Sequence, residues 1–261
     1  MSDDTRPHSS AYFGEERDYW WNDDYLDLLA RRLRLDQVRT LADIGCGIGH
    51  WGGSLAGHLA PGTQLIGIDR DPANVAGARE RFARRAPDRS ARFLEGDALA
   101  LPLADGSVDL ATCQTLLIHL AEPQKAIAEM IRVTRPGGQV VAVESNNLFN
   151  RMAISSLTPE TPLERLLAET EIAWRQVEGR RRRGLGCEYL GDLVPALFAE
   201  AGLADIRVWL ATGPCRWCRP MRRRSSRRSS MRSGVGAPTD PVPATGPSSP
   251  PIWRQAVPTR P

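Results

Sequence analysis

The stretch Asp43-Ile44-Gly45-Cys46-Gly47-Ile48-Gly49 constrains this chain more than any other. Three glycines at alternate positions, directly after the apolar run 40–44, make a turn in which bare backbone can approach a ligand. A helix opening behind that turn would aim its free N–H groups at the same point. The chain around the turn keeps a strand–helix rhythm. Residues 40–44 read as a first strand, 64–69 as a second ending on Asp69, 92–94 as a third ending near Asp97, 107–114 as a fourth and 139–144 as a fifth. Helices are expected over 19–35, from 50 to about 58, from Asp71-Pro72 to 85, and over 123–133. This alternation predicts an α/β fold with a doubly wound, mostly parallel sheet covered on both faces. Farther on, 160–178 reads as an acidic amphipathic helix ended by Gly179 and the arginine run 180–183. Residues 192–201 read as a further helix and 206–210 as a sixth strand.

In a doubly wound sheet, ligands bind beyond the carboxyl ends of the strands, so Asp43, Asp69 and Asp97 should line one crevice. Two ligand classes use such a loop, dinucleotides and S-adenosylmethionine. The dinucleotide spacing occurs as Gly47-Ile48-Gly49-His50-Trp51-Gly52, with Asp69 downstream. Two features oppose it. Asp43, just before the first glycine, would repel a doubly negative pyrophosphate but would welcome an ammonium group. His50 and Trp51 are bulky where a pyrophosphate needs close approach. Asp69 suits a pair of ribose hydroxyls and Asp97 suits the exocyclic amine of adenine. Any one of these acids taken singly could instead be a helix cap.

At this point the chain resembles a class I S-adenosylmethionine-dependent methyltransferase, of the broad group that includes ubiquinone and menaquinone biosynthesis enzymes. The resemblance rests on DIGCGIGHWG (43–52), GIDRDP (67–72), FLEGDALALPLADGSVDLATCQTLLIHL (93–120) and MIRVTRPGGQVVAVE (130–144). GDLVPALFAEAGLADIRVWLA (191–211) resembles the late helix and sixth strand of that family, whose sheet normally closes with a seventh, antiparallel strand. The resemblance implies a Rossmann-like methyltransferase fold and S-adenosyl-L-methionine as cofactor. It implies that Asp43, Gly45, Cys46 and Gly47 hold the methionine portion and that Asp69 and Arg70 flank ribose and adenine. Asp97 and Ala98 would then meet the adenine, and Gln114 with Leu116 would close the floor. It is nearly silent on the acceptor.

Methyl transfer asks for placement more than for a reactive side chain, so catalytic candidates are few. His119, just past the fourth strand, is a candidate base, with a cap or packing role as its alternative. Glu144, at the end of strand five, is the second group expected to touch the acceptor. The aromatic segment holding Tyr12, Phe13, Tyr19, Trp20, Trp21 and Tyr25 is the candidate acceptor wall, with Asn146 and Asn147 opposite. For Trp21 and Tyr25, packing on the sheet edge is an equal reading. No metal site is expected. The CxxC at Cys215 and Cys218 has no second pair, and none of the four histidines lies near it.

The organisation expected is an N-terminal segment and lid helix (1–37), a cofactor-binding domain (38–212) with a lid insert about 147–190, and a tail (213–261). Charge supports the last boundary. The tail holds ten arginines and one aspartate, a net +9, against +3 for the whole chain, which leaves −6 on the other 212 residues. Its ten prolines and seven serines argue against a packed structure and supply no convincing seventh strand. Abrupt Arg, Pro, Ser and Gly enrichment in a chain with 33 arginines and one lysine is what out-of-frame translation of GC-rich DNA produces, so a frameshift near Gly213 is expected. The leading function is methyl transfer to a small-molecule acceptor. The alternatives are an RNA methyltransferase using the basic tail, a cofactor binder with impaired catalysis, and a dehydrogenase. No recognition motif accompanies the tail, so nucleic acid is not the expected partner. With no signal segment and no apolar run of about 18 residues, a cytoplasmic monomer or homodimer is expected.

Overall fold

The computed structural model describes residues 17, 20–147 and 161–210. Five strands form one sheet: β1 (Thr40–Ile44), β2 (Gln64–Asp69), β3 (Ser90–Glu95), β4 (Val108–Gln114) and β5 (Thr134–Val143). Their order is β3-β2-β1-β4-β5, and each neighbouring pair is parallel. The α/β, doubly wound parallel architecture is therefore borne out. The order reverses at β1, whose Ile44 pairs with Ile68 of β2 on one side and Cys113 of β4 on the other. That switch point is where the crevice opens.

Alternate side chains of each strand serve opposite faces. Ala42, Ile44, Ile66, Ile68, Ala111 and Cys113 join one core with α4 (Pro123–Val133) and α6 (Val194–Glu200). Leu41, Leu65 and Leu110 join the other with α1 (Asp23–Leu33), α2 (His50–Ala56) and α3 (Pro72–Arg85). The helix starts follow local chemistry. Asn22 Oδ1 accepts from Tyr25 N at 2.7 Å, so α1 begins at Asp23 and not at the expected 19. Asp71 caps α3 by accepting from Ala73 N, with Pro72 in the first turn.

Three expectations need correction. Helix α5 (Leu163–Arg182) runs through Gly179 and most of the arginine run. Glu178 pairs with both Arg181 and Arg182, and cations suit the last turn of a helix, so these arginines extend it. The Pro136-Gly137-Gly138 segment lies inside β5, not before it. Thr134 already pairs with Val108, and the next registered pair is Leu110 with Gln139, so the residues between form a bulge. The sixth strand over 206–210 does not form. Val208 is 60% exposed and Leu210 92%, and only Trp209 packs, beneath Arg32 at 5.2 Å. A strand needs a partner for its backbone, and among the described residues none pairs with 206–210.

Candidate active site at the carboxyl edge of the sheet

The glycine loop follows β1 directly. Gly45 and Gly47 take positive φ (65° and 54°), a conformation other residues rarely adopt. Gly45 is also pressed from above: a Cβ there would meet Leu116 Cδ1 at 2.7 Å, whereas a Cβ on Gly47 would meet nothing within 4 Å. The loop is thus closed at its root and open at its crest. Cys46 N donates to Ile68 O at 3.0 Å, which ties the loop to β2. The Cys46 side chain is buried and its thiol is pushed well up, by burial first and then by Asp43 and Asp69. Its backbone is committed as well, the N–H to Ile68 O and the carbonyl to Gly49 N at 2.9 Å.

The acids differ sharply in setting. Asp43 is 1% exposed. Its Oδ2 accepts from Gly52 N at 2.9 Å, while Oδ1 is buried without a hydrogen-bond partner. Burial pushes its carboxyl up to about 7, against the pull of the Gly52 N–H and with a further push from Asp69. Asp69 is half-buried and braces the loop: Oδ2 accepts from Gly47 N at 2.8 Å, and Oδ1 from Asp71 N and Asn74 Nδ2. Asp97 is exposed and accepts from Leu99 N at 2.9 Å in a local turn, with no helix start there for it to cap. Arg70 beside Asp69 is exposed, and Ala98 packs on the core.

The end of β4 forms the floor. Gln114 is buried, and Thr115 holds a left-handed φ of 50° without being glycine. Such strain persists only where surrounding structure imposes it. Thr115 N donates to Val143 O at 2.9 Å, and its Oγ1 accepts from Arg17 Nη2 at 3.0 Å. Next, Leu116 turns over Gly45, and a short 3-10 turn follows (Leu117–His119). Glu144 accepts from the first amides of this segment: Oε1 from Leu116 N and Leu117 N, both at 2.9 Å, and Oε2 from Ile118 N at 3.4 Å. Cys113 Sγ also donates to Oε1, at 3.7 Å. Burial pushes the Glu144 carboxyl up to about 7 despite these donors. His119 is half-buried at the end of the same turn, its N–H bonded to Leu116 O.

Arg17 also lies over the Trp20 ring at 5.0 Å, so one guanidinium touches both Trp20 and Thr115. Tyr12 and Tyr19 lie outside the described residues. Trp21 is not free to line a wall. It stacks on Tyr25 at 5.3 Å and against Trp51 at 5.4 Å, and Trp51 Nε1 donates to Thr112 Oγ1. Asn146 Nδ2 donates to Asp192 Oδ2 at 2.5 Å, joining the end of β5 to the 3-10 turn Leu190–Asp192. Arg17 and Thr115 were absent from the sequence-based set. No motif marks Arg17, and only a positive φ marks Thr115. A cavity of about 480 Å³ lies elsewhere, lined by Trp21, Ser54, His58, Arg85 and Arg89 among others. Among the described residues no group of three or more metal-type side chains converges.

Residues 42–142, the span that builds this loop, floor and sheet, match the family "Methyltransferase domain". That segment of the chain is similar to a methyltransferase domain. A protein from a Streptomyces fradiae transposon, of uncharacterized function, is 44% identical over 134 residues, covering 46% of this chain and 38% of its own. A demethylmenaquinone methyltransferase from Geobacillus kaustophilus is 27% identical over 195 residues, 72% of this chain and 79% of its own. One of the same name from Thermus thermophilus is 36% identical, over 45% and 54%. The chain thus spans about half or less of the length of several of these relatives. The fold of the domain is that of a candidate S-adenosyl-L-methionine-dependent methyltransferase from Methanococcus maripaludis, with a TM-score of 0.53 at 15% identity over 81% of this chain and 92% of that one.

Proposed function

We propose that this chain is an S-adenosylmethionine-dependent methyltransferase that moves a methyl group to a small-molecule acceptor by in-line displacement. The observation that carries this reading is Asp43, a buried carboxyl with one oxygen unpartnered, at the foot of a glycine loop whose crest is open. An orphaned buried acceptor is costly, and a ligand ammonium at the loop would satisfy it. A pyrophosphate would not. The donor set fits the rest of the cofactor. Asp69 Oδ2 retains a lone pair for a ribose hydroxyl after accepting from Gly47, and Asp97 lies within reach of solvent for an adenine amine. Arg70, Ala98, Gln114 and Leu116 complete the proposed binding set.

The cofactor supplies an electrophilic methyl on a sulfonium. What remains for the protein is to hold the acceptor behind that methyl and keep water out. Orientation of this kind contributes roughly 7–11 kcal/mol. The floor at Gln114–Leu116 is fixed from two sides, by Arg17 and by Glu144, which suits it to that task. Trp20 is the described part of the proposed acceptor wall, for which Tyr12 and Tyr19 are the other sequence-based candidates, and Asn146 belongs to the proposed facing one. His119 is the proposed proton acceptor where the acceptor is a phenol or hydroxyl. Alignment with a demethylmenaquinone methyltransferase over 195 residues supports a small-molecule acceptor.

Calorimetry of the full chain with S-adenosylhomocysteine, and with NADH as comparator, tests the proposal. Saturable binding of the first alone is expected. Thermal stabilisation by NADH without any by S-adenosylhomocysteine would sink it.

A further inference from the structure

We propose that Glu144 is a positioning residue: it sets the β4 loop, and through Leu116 the root of the glycine loop, and does not act on the acceptor. The oxygens of Glu144 are already committed. Oε1 takes two amides and a thiol, and Oε2 takes a third amide. A base must offer a lone pair to the acceptor's proton; Oε1 has none left to offer, and Oε2 is turned to the Ile118 amide at 3.4 Å. The bonded amides are consecutive, 116 to 118, and they begin a 3-10 turn that has no side-chain cap of its own. Glu144 supplies that cap from the neighbouring strand, placing a carboxylate where helix-type termini favour negative charge.

The consequence reaches the cofactor loop through one side chain. Leu116 Cδ1 stands 2.7 Å from the place a Gly45 Cβ would occupy, so Leu116 already fills the space above Gly45. If the amides at 116–118 lose their acceptor, the segment keeps the bonds that Leu116 O accepts from His119 N and Ile118 O from Cys187 N, but nothing fixes the Leu116 N–H behind the strained Thr115. The root of the glycine loop then loses its lid. Glu144 follows Val143, the last residue of β5, which pairs with Gln114. One strand end thereby sets the floor of its neighbour.

The inference rests on the methyltransferase reading for its cofactor readout, and a second readout is independent of it. Glu144→Ala and Glu144→Gln are compared with the wild-type full chain by S-adenosylhomocysteine calorimetry and by amide exchange. Gln keeps an Oε1 that accepts from Leu116 and Leu117 but cannot serve as a base. In Glu144→Ala, affinity falls roughly tenfold or more, and the amides of 116–118 exchange faster while those of β1 do not. Glu144→Gln stays within roughly threefold of wild type. Unchanged affinity and unchanged exchange in Glu144→Ala would overturn the proposal. So would a uniform rise in exchange with unchanged affinity of the folded fraction, the mark of a merely structural role. If the Ala variant does not fold, Glu144→Asp, one methylene short of the amides, is read the same way. Wild-type protein that fails to bind S-adenosylhomocysteine refutes the methyltransferase reading, while exchange at 116–118 still decides the role of Glu144.

Discussion

Replacing Asp43 by Asn should stabilise the cofactor-free protein and cripple cofactor binding at once. An aspartate normally ionises near 3.8, but burial holds Asp43 protonated to about 7. Between those values the unfolded chain releases a proton that the fold retains, so stability declines as pH rises from about 4 and levels off above about 7. A rise from 3.8 to about 7 corresponds to about 4 kcal/mol, an upper figure for what ionising Asp43 costs the cofactor-free fold at pH 8. Asn is nearly isosteric, and its carbonyl can still accept from Gly52 N. It removes the titration and leaves the cap. Bound S-adenosylhomocysteine should reverse the preference, since its ammonium favours the ionised carboxyl. Truncating one partner of a buried charge pair costs about 2–5 kcal/mol, so affinity should drop at least roughly 30-fold. The assay is denaturant unfolding at pH 5 and pH 8 for both proteins, with calorimetry at the same pH values. Asp43→Asn should gain on wild type at pH 8 relative to pH 5 and bind the ligand poorly. Parallel stabilities at the two pH values, or undiminished binding, would refute the reasoning.

Gly47→Ala places a methyl in open space at a positive φ, so unfolding experiments should show a loss of about 1–2 kcal/mol. Calorimetry should register a much larger loss of S-adenosylhomocysteine affinity, because the methyl enters the crest of the loop. Arg17→Ala removes the Arg17–Thr115 bond and the cation over Trp20. Its melting temperature should stay near wild type, while KM for the acceptor rises in a methyl-transfer assay once an acceptor is known. Met130→Ala opens a cavity in the core between α4 and the sheet, and urea denaturation should report a loss of about 2–5 kcal/mol with ligand affinity of the folded protein intact.

What could be read in the residues was what local chemistry decides. Gly45 and Gly47 are required wherever the backbone must take positive φ, and Asp43, Asp69 and Asp97 lie at or just beyond the carboxyl ends of the first three strands. The strand–helix alternation carried the architecture with it. The failures share a cause in partners distant along the chain. Residues 206–210 have a strand's composition, but a strand is defined by its neighbour. Gly179 looks like a helix stop until Glu178 is seen holding Arg181 and Arg182 across it. For Glu144, expected to touch the acceptor, no pattern in the sequence announces the amides of 116–118 that fold back onto it. Arg17 reaches Thr115 across 98 positions, a contact no periodicity announces.

The strand order has a temporal meaning as well. β1, β2 and β3 are complete by residue 95, before any of β4 exists on a growing chain. The crevice, however, lies on the seam where β4 comes to lie against β1, with Gly47 and Asp69 on the early side and Gln114 and Leu116 on the late side. A ligand touching both banks acts as a rivet across that seam. Its binding energy is added to a joint that the order of synthesis leaves until after the first three strands are made.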